Sequence, residues 1–400
     1  MVYDIGIIGT GISGVFAAYK LAKENKNSKK ILFELGRPPL KRRRQLEGWL
    51  GSLPNSDGKI YTSDLDRVQK VVGPRQTKSS FNFVRSLLSE VSDLKVTTDK
   101  GPLASMQKKL AKNNYSIGLN DYIQLYTKEI HQLSRVVSSF IEESGFTYNF
   151  DDEVVAISKQ RGLFCVQTQT KEFKCKKVLL CVGRSGWRWA GDVFKKFGIV
   201  ENNDISRYGI RVEMPSPLLK DFNKSSCSLF KENTEIGPFN WHGTVIPEDH
   251  VDLAISSFRS NENRWKTDKV SFNIIGDIVN KNQGMEQTDR IGKLTFVLAN
   301  DRIVKEKISS FLSEKSTVSV IPEYKSIKNN VQELSKIIPE ISTKGYFYVP
   351  TIIPMAPQIN IGTNMETEVE GLFVAGETAG IHGILSAATT GIIAASAMLK

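Results

Sequence analysis

The start of the chain combines two short apolar runs with one run of helical periodicity. YDIGII, residues 3–8, is apolar in the way expected of a buried parallel strand. GVFAAYKLAKEN, residues 14–25, repeats apolar positions at helical spacing, and KKILFE, residues 29–34, is a second apolar run. The pattern therefore predicts a β-α-β unit at the start of the chain.

A second strand–helix pair is predicted at the other end of the chain. GLFVAGE, residues 371–377, has the composition of a buried strand, and ILSAATTGIIAASAML, residues 384–399, that of a packed helix of small and apolar residues. Between the two ends, TYNFDDEVVAISKQ, LFCVQTQT and KEFKCKKVLLCVG predict a β-meander. These elements together predict an α/β, Rossmann-like domain whose parts lie far apart in the sequence.

The region from about residue 206 to 349 has a different pattern. GIRVEMP, HVDLAISSF and KVSFNIIG alternate apolar and polar positions, which is typical of an antiparallel sheet. We therefore predict a discontinuous nucleotide-binding domain, residues 1–205 and 350–400, and an inserted α+β substrate or cap domain, residues 206–349. Helices are also predicted over residues 121–146, over DRIVKEKISSFLSE and over IKNNVQELSKII.

Composition narrows the class of protein. The chain has 400 residues, of which 40% are apolar and 24% charged, as in ordinary globular proteins. No apolar run reaches the roughly 18 residues that a membrane span requires, and the four cysteines show no C-x-x-C spacing. We expect a cytoplasmic protein that does not bind a membrane; the sequence does not indicate its oligomeric state.

The formal net charge of +11 has two interpretations. It is expected of a protein that binds nucleic acid. It is also expected of a lysine-rich surface combined with basic residues that hold a phosphate-bearing cofactor. KRRR, residues 41–44, is the one dense basic run.

Three glycines with the spacing G-x-G-x-x-G follow the first predicted strand. Gly9 permits the tight turn, Gly11 lets the backbone approach a pyrophosphate, and Gly14 lets the helix pack closely on the strand. Ile12 and Ser13 lie within the motif and are candidate cofactor contacts, because the start of the helix offers free N–H groups and the positive end of its dipole to phosphate. The sequence therefore predicts a dinucleotide site, and the alternative is a glycine turn that binds nothing.

Acidic residues define which dinucleotide is expected. Glu34 ends the second strand, where its carboxylate can accept hydrogen bonds from a ribose diol and would repel a 2′-phosphate. FAD and NAD remain. At the C-terminal end, Gly376 and Glu377 end a strand before a glycine-rich turn. Glu377 can therefore bind the ribityl hydroxyls of FAD. The N–H groups near Gly383 and Ile384 can face the flavin pyrimidine edge. The C-terminal strand and turn would form the second half of an FAD site, which a protein that binds only NAD does not need, so the sequence favours FAD over NAD.

With these glycine motifs, the sequence resembles the FAD-dependent oxidoreductases of the glutathione-reductase-like flavoprotein superfamily. It more narrowly resembles the group of FAD-dependent, or NAD(FAD)-utilising, dehydrogenases. The narrower resemblance rests on SDGKIYT, on VLLCVGRSGWRWAGDVFKKFGI, on YGIRVEMP and on the C-terminal GLFVAGETAGIHGILSAATTGIIAA. The segment PTIIPMAPQIN lacks the polar residues that the family carries there, so no catalytic residue is assigned to it.

The resemblance implies further cofactor contacts. The backbone near Val154 is expected to lie against the adenine, and Gly183 is expected to approach the cofactor. Lys59, within SDGK, is expected near flavin N5 or the substrate; a solvated loop lysine is the alternative. Arg42 and Arg43 are expected at the pyrophosphate or at an anionic substrate, or on a solvated basic face.

Two histidines are candidate proton acceptors. His382 lies in the C-terminal turn and is expected to face the flavin or the substrate, or else to cap the backbone. His242 lies beside Trp241 in the predicted substrate domain and is either a pocket residue or a core histidine. No cluster has metal-ligand spacing.

These observations predict an FAD-dependent oxidoreductase, either an oxidase or a dehydrogenase, that transfers a hydride from a C–N or C–C bond of a small molecule to flavin N5. The alternative is a flavoenzyme that modifies a base of tRNA or DNA, which the net charge favours. A third hypothesis is a scaffold protein that retains FAD without redox turnover.

Overall fold

The computed structural model describes residues 1–25, 27–39, 41–42, 46–250, 253–281, 283–354 and 358–400. The chain divides into two compact units. The first contains residues 1–96, 123–202 and 355–400, and the second contains residues 97–122 and 203–354. Every helix in the described ranges is too short or too polar to cross a bilayer.

The strands, in chain order, are β1 Val2–Ile8, β2 Lys30–Glu34, β3 Lys59–Tyr61, β4 Val96–Thr97, β5 Ser116–Gly118, β6 Tyr122–Gln124, β7 Thr147–Phe150, β8 Val154–Gln160, β9 Leu163–Thr168, β10 Glu172–Leu180, β11 Glu201–Asn202, β12 Ile205–Pro215, β13 Ser228–Lys231, β14 Thr234–Trp241, β15 Thr244–His250, β16 Leu253–Arg259, β17 Lys269–Val279, β18 Val304–Lys307, β19 Tyr346–Ile352, β20 Gln358–Ile359 and β21 Leu372–Val374.

The α-helices are α1 Ile12–Glu24, α2 Leu65–Val72, α3 Pro74–Leu88, α4 Ala104–Lys112, α5 Thr127–Glu143, α6 Trp187–Phe197, α7 Gly284–Leu298, α8 Ile308–Leu312, α9 Tyr324–Ile337, α10 Glu340–Lys344 and α11 Ile384–Met398. Short 3-10 helices include Thr62–Asp64 and Gly376–Ala379.

The first unit is built on one sheet with the order β7-β2-β1-β10-β9-β8. β1 pairs in parallel with β2 and β10, and β2 pairs in parallel with β7. β10 changes partner along its length, because its first half pairs antiparallel with β9 and its last three residues pair in parallel with β21. The C-terminal strand thus joins the same sheet as the N-terminal β-α-β unit.

Helices α1 and α11 pack against each other beside this sheet. Their apolar residues are buried, since Val15, Leu21, Ile392 and Ala394 all have less than 3% of their surface exposed. At the crossing, a Cβ added to Gly391 would lie 2.2 Å from the carbonyl oxygen of Ser13. Gly391 therefore allows α11 to approach the first turn of α1.

The second unit contains an antiparallel sheet with the order β18-β19-β12-β17-β14-β13-β5. β12 and β17 pair along eleven residues each. One face of the sheet is apolar and includes Tyr208, Ile210, Val212 and Phe272, which belong to the core of this unit. The predicted fold class, a Rossmann-like domain with a β-meander and an antiparallel second sheet, is confirmed.

Three local expectations differ from the structure. The helix expected over residues 121–146 begins only at Thr127, because residues 122–124 form β6 and the N–H of Tyr126 donates to the Glu129 carboxylate. Within DRIVKEKISSFLSE, the first half is β18, which pairs with β19, and only the second half is helical. Residues 97–122, expected in the first domain, lie in the second unit, where β5 pairs with β13.

One buried cation stabilises the end of α1. Lys30 is 1% exposed, and its Nζ donates to the carbonyl groups of Asn25 and Ser28. Burial lowers the pKa of Lys30. We expect Lys30→Met to reduce the free energy of unfolding by about 1–3 kcal/mol, because it removes the donor from these carbonyls. Urea unfolding measures this effect, and the exposed Lys29→Met is the control; equal stability of the two variants would contradict the prediction.

Candidate functional site

The turn between β1 and α1 is fixed by two glycines. Gly9 has a φ of +95°, and an added Cβ would lie 2.4 Å from the carbonyl oxygen of Cys181. A Cβ on Gly14 would lie 2.0 Å from the carbonyl oxygen of Gly9. Neither position can hold a side chain while the turn keeps this shape.

Gly11 differs from its two neighbours in the motif. Its φ is −63°, and the nearest atom to an added Cβ is the Cys181 carbonyl oxygen at 3.8 Å. Packing within the protein therefore does not require glycine at this position. Because α1 begins at Ile12, the missing side chain keeps the first N–H groups of the helix, including those of Ile12 and Ser13, open to a ligand.

A second glycine, Gly51, faces the same helix end. Its φ is +56°, and an added Cβ would lie 3.4 Å from Gly11 Cα and 3.9 Å from the Ile12 nitrogen. The N–H of Leu50 donates to the Thr10 carbonyl at 2.9 Å, which holds this loop against the turn. Gly51 stands in no sequence motif, because its role depends on the conformation of a loop.

The Glu34 carboxylate, expected to bind a ribose, is fully hydrogen-bonded by the chain. Oε2 accepts from the N–H and the hydroxyl of Thr10 at 2.8 and 2.7 Å. Oε1 accepts from the N–H groups of Gly36 and Gly48 at 2.7 and 3.1 Å. The ribose contact stays a prediction, and a ribose hydroxyl would have to replace one of these donors.

Arg42 lies next to this cluster. Its Nη1 donates to the Trp49 carbonyl at 2.9 Å, and its Cβ lies 3.5 Å from where a Cβ of Gly48 would be. Its expected phosphate contact stays a prediction. Arg43 lies outside the described residues.

The ends of the meander approach the same region. Val154 is buried at the start of β8, opposite Thr168. Gly183 follows β10 with a φ of +58°, and an added Cβ would meet no atom within 4 Å. Its N–H donates to the hydroxyl of Thr378 at 3.2 Å. The adenine contact at Val154 and the cofactor contact at Gly183 stay predictions.

The C-terminal turn contacts the start of α1 directly. Gly376 has a φ of +63°, and an added Cβ would lie 2.9 Å from Ser13 Oγ. Its N–H donates to the hydroxyl of Thr390 at 2.9 Å. The two glycine-rich segments, which lie at opposite ends of the sequence, thus form one region of the first unit.

A charged cluster lies within this turn. The Glu377 carboxylate accepts a hydrogen bond from Arg184 Nη2 at 3.1 Å and lies 3.4 Å from His382 Nδ1. Burial alone would raise the pKa of Glu377, but Arg184 and His382 outweigh it and hold this pKa well below its usual range. An ionised Glu377 can accept a hydrogen bond from the Nδ1–H group of His382, and in that tautomer of the ring Nε2 carries the free lone pair.

Asp64 also belongs to this region, although it stands in no sequence motif. A Cβ added to Gly383 would lie 2.1 Å from Asp64 Oδ2, and the N–H of Ile384 faces the same carboxyl group. Burial raises the pKa of Asp64 to about 6, against the opposing effects of Arg67 and His382. Gly383 and Ile384, expected at the flavin, contact this carboxyl group.

Two candidates remain, Lys59 and His242. Lys59 is in β3, where its Nζ is 3.9 Å from Asp57 Oδ2. His242 is in the second unit with a φ of +60°, and its Nδ1 is 3.1 Å from the Thr267 carbonyl oxygen, which orients the ring. The roles proposed for both side chains in catalysis stay predictions. No group of three or more His, Cys, Asp or Glu residues in the described ranges is arranged to hold a metal ion.

The residues around the two turns fit FAD. Gly11 and Gly51 leave room beside the first N–H groups of α1 for a pyrophosphate. Within the described residues, the buried polar atoms without a hydrogen-bond partner include Trp49 Nε1 and His382 Nε2, which lie near these turns. Buried polar atoms are normally satisfied, so both are expected to meet a ligand or water.

No protein-family model matches the chain, and no curated protein matches it. Among solved structures, the chain is similar to glycine oxidase from Geobacillus kaustophilus, with 15% identity and a TM-score of 0.44 over 100% of this chain and 95% of that one. It is also similar to a variant of the halogenase PltM in complex with FAD, with 12% identity and a TM-score of 0.48 over 99% and 69% of the two chains.

A third similar structure is the anhydrotetracycline hydroxylase OxyS from Streptomyces rimosus, with 11% identity and a TM-score of 0.42 over 97% and 60% of the two chains. All three TM-scores lie below 0.5, so a function has to be inferred from the site itself.

Proposed function

We propose that this protein is an FAD-dependent oxidoreductase that oxidises a C–N or C–C bond of a small molecule. One observation carries the proposal. The open start of α1 at Gly11 lies in one region with the turn that holds Glu377 and His382, because Gly376 packs against Ser13. A helix start suited to a pyrophosphate thereby adjoins a histidine oriented by a carboxylate.

The proposed cofactor contacts follow the geometry of the first unit. The N–H groups of Ile12 and Ser13 bind the pyrophosphate, with Arg42 as a nearby cation. Glu34 binds the ribose once a hydroxyl group replaces one of its backbone donors. When bound, FAD supplies the hydride acceptor.

His382 is the proposed proton acceptor. Glu377 fixes the Nδ1 proton of the ring, so that Nε2 can take a proton from an N–H or O–H group of the substrate. Arg184 keeps Glu377 ionised and thereby keeps the imidazole in this orientation. In this arrangement the chain supplies the base and its orientation, while hydride chemistry belongs to the cofactor.

The proposal is tested by an absorbance spectrum of the purified protein with and without added FAD. The expected result is a bound flavin, and a protein that retains no flavin after addition of FAD contradicts the proposal. Anaerobic mixing with NADH, NADPH, amines, amino acids and modified oligonucleotides then identifies the donor class. Reduction by an oligonucleotide alone would favour the base-modifying alternative.

We expect His382→Gln to bind FAD but to slow flavin reduction by the donor by about 10²–10⁴-fold, the usual contribution of a general base. His131→Gln is the matched control, because His131 is exposed on α5. Stopped-flow measurement of flavin bleaching compares the variants. Equal rates for His382→Gln and His131→Gln would rule out His382 as the base.

A further inference from the structure

The carboxyl group of Asp64 lies on the start of α11. Asp64 ends the 3-10 helix Thr62–Asp64, and its Oδ2 is 2.1 Å from the position that a Cβ of Gly383 would occupy. The N–H of Ile384, the first residue of α11, faces the same carboxyl group. The chain therefore brings its own acidic group to the N–H groups near Gly383 and Ile384, which are expected to face the flavin pyrimidine edge.

The backbone of Asp64 is fixed to the same helix turn. The hydroxyl of Ser386 donates to the Asp64 carbonyl at 2.6 Å, and the two residues are 322 positions apart in the sequence. Ser386 is itself fully buried. The carboxyl group is thus held at α11 by a tertiary contact and does not merely extend from a mobile surface loop.

The charged groups that act on Asp64 come from both neighbouring elements. Arg67 contributes from α2, and His382 contributes from the turn before α11. Both favour the ionised carboxylate, as does the N–H of Ile384, while burial opposes ionisation and raises the pKa of Asp64 to about 6. The carboxyl group of Asp64 therefore changes from neutral to negatively charged as the pH rises through about 6.

We propose that Asp64 competes with the electronegative pyrimidine edge of FAD for the first N–H groups of α11, so that FAD binds most tightly when Asp64 is protonated. This inference rests on the proposed function. An ionised carboxylate accepts the hydrogen bond of Ile384 and repels a second electronegative group at the same place. A protonated carboxyl group accepts more weakly and can donate a hydrogen bond instead.

The test is the dissociation constant of FAD, measured by quenching of flavin fluorescence between pH 5 and pH 8. For the wild-type chain we expect the dissociation constant to rise above about pH 6, by at most about tenfold per pH unit, because one proton is linked to binding. Asp64→Asn should bind FAD with little dependence on pH and more tightly than the wild type at pH 8. Circular dichroism checks that the variant is folded.

Two control variants separate Asp64 from other titrating groups. Asp66→Asn removes an exposed carboxylate from the first turn of α2 and should keep the wild-type pH dependence. His382→Gln should shift this dependence to higher pH, because His382 lowers the pKa of Asp64.

The outcomes distinguish this inference from the proposed function. If the wild type binds FAD equally well at pH 5 and pH 8, or if Asp64→Asn is no tighter at pH 8, Asp64 does not compete with the cofactor, although the flavoprotein proposal stands. If neither chain binds FAD at any pH, the proposed function fails and this inference fails with it.

Discussion

Gly11→Ala is expected to raise the dissociation constant of FAD by about 10²-fold, which corresponds to ~2.7 kcal/mol of binding free energy. An added Cβ meets no protein atom closer than 3.8 Å, so the methyl group occupies space that the proposed pyrophosphate requires. The φ of −63° is accessible to alanine, but glycine is a better N-cap residue than alanine, so the substitution should cost the fold about 0.5–1 kcal/mol. FAD titration and urea unfolding measure the two effects separately.

Gly14→Ala is the matched comparison within the same motif. In an ordinary helix interior, replacing glycine by alanine stabilises the helix by about 1 kcal/mol. Here the added Cβ would lie 2.0 Å from the carbonyl oxygen of Gly9, so the first turn of α1 has to move. We therefore expect Gly14→Ala to lower the free energy of unfolding by at least ~2 kcal/mol, in the range of overpacked sites.

The contrast between the two variants is the informative result. A loss of stability well above ~1 kcal/mol in Gly11→Ala would mean that this glycine has a structural role beyond its place as the N-cap residue. Unchanged FAD binding in a stable Gly11→Ala chain would mean that the start of α1 is not the pyrophosphate site. Either result would leave the role of Gly14 in the fold unaffected.

The elements that the sequence predicted well are those with strong local signals. β1, α1 and β2 follow from two apolar runs, one helical period and three glycines within the first 34 residues. α11 follows from an uninterrupted run of small and apolar residues. In these segments, local propensity and tertiary environment favour the same structure.

The predictions that failed concern segments whose partners are distant in sequence. Residues 304–307 have a helix-like pattern, yet they form β18 because β19 offers them a pairing edge. Residues 116–118 join the second unit because β13 pairs with them across more than one hundred residues. Such pairing gains outweigh weak local preferences, and a single sequence does not reveal them.

The candidate site likewise combines residues that a local motif marks with residues whose role depends on distant parts of the chain. Gly9, Gly11 and Gly14 were found from their spacing, whereas Gly51 and Asp64 were missed because neither stands in a motif. Asp64 acquires its significance only through Gly383, Ile384 and Ser386, all of which lie at the far end of the chain. Acidic residues ahead of a helix are common, and nothing in the local sequence distinguishes Asp64 from Asp66.

The second large effect is expected for Glu377→Gln. Its carboxylate accepts from Arg184 at 3.1 Å and lies 3.4 Å from His382 Nδ1, so its charge fixes which imidazole nitrogen carries the proton. A glutamine amide can donate to Nδ1 and thereby reverse the tautomer, which places the proton on Nε2. We expect flavin reduction by the donor to slow by about 10²–10⁴-fold, while FAD binding changes less, because base catalysis depends on the free Nε2 lone pair.

The pH dependence of unfolding separates the contribution of Glu377 to stability from its role in orienting His382. Because the pKa of Glu377 in the folded protein is depressed, its ionised form stabilises the fold at pH values above the ordinary glutamate pKa, and this contribution is lost as the pH falls. Glu377→Gln should therefore lose stability at neutral pH but be less sensitive to acid than the wild type. Thermal unfolding at about pH 3 and at pH 7 measures this difference, because the contribution of Glu377 is lost progressively below the ordinary glutamate pKa.

Glu377→Asp is the conservative control, since it keeps a carboxylate but shortens the side chain. If His382 needs only a nearby negative charge, Glu377→Asp should recover most of the rate of flavin reduction that Glu377→Gln loses. If Glu377 has a purely structural role, the rates of the two variants should instead follow their free energies of unfolding. The decisive measurement is the pH profile of anaerobic flavin reduction. Orientation of His382 by Glu377 predicts that the rise of activity with pH, which reports deprotonation of the base, is lost in Glu377→Gln and retained in Glu377→Asp. A profile unchanged in shape in Glu377→Gln would show that His382 acts without Glu377, and the base would then have to be sought among other residues of the first unit.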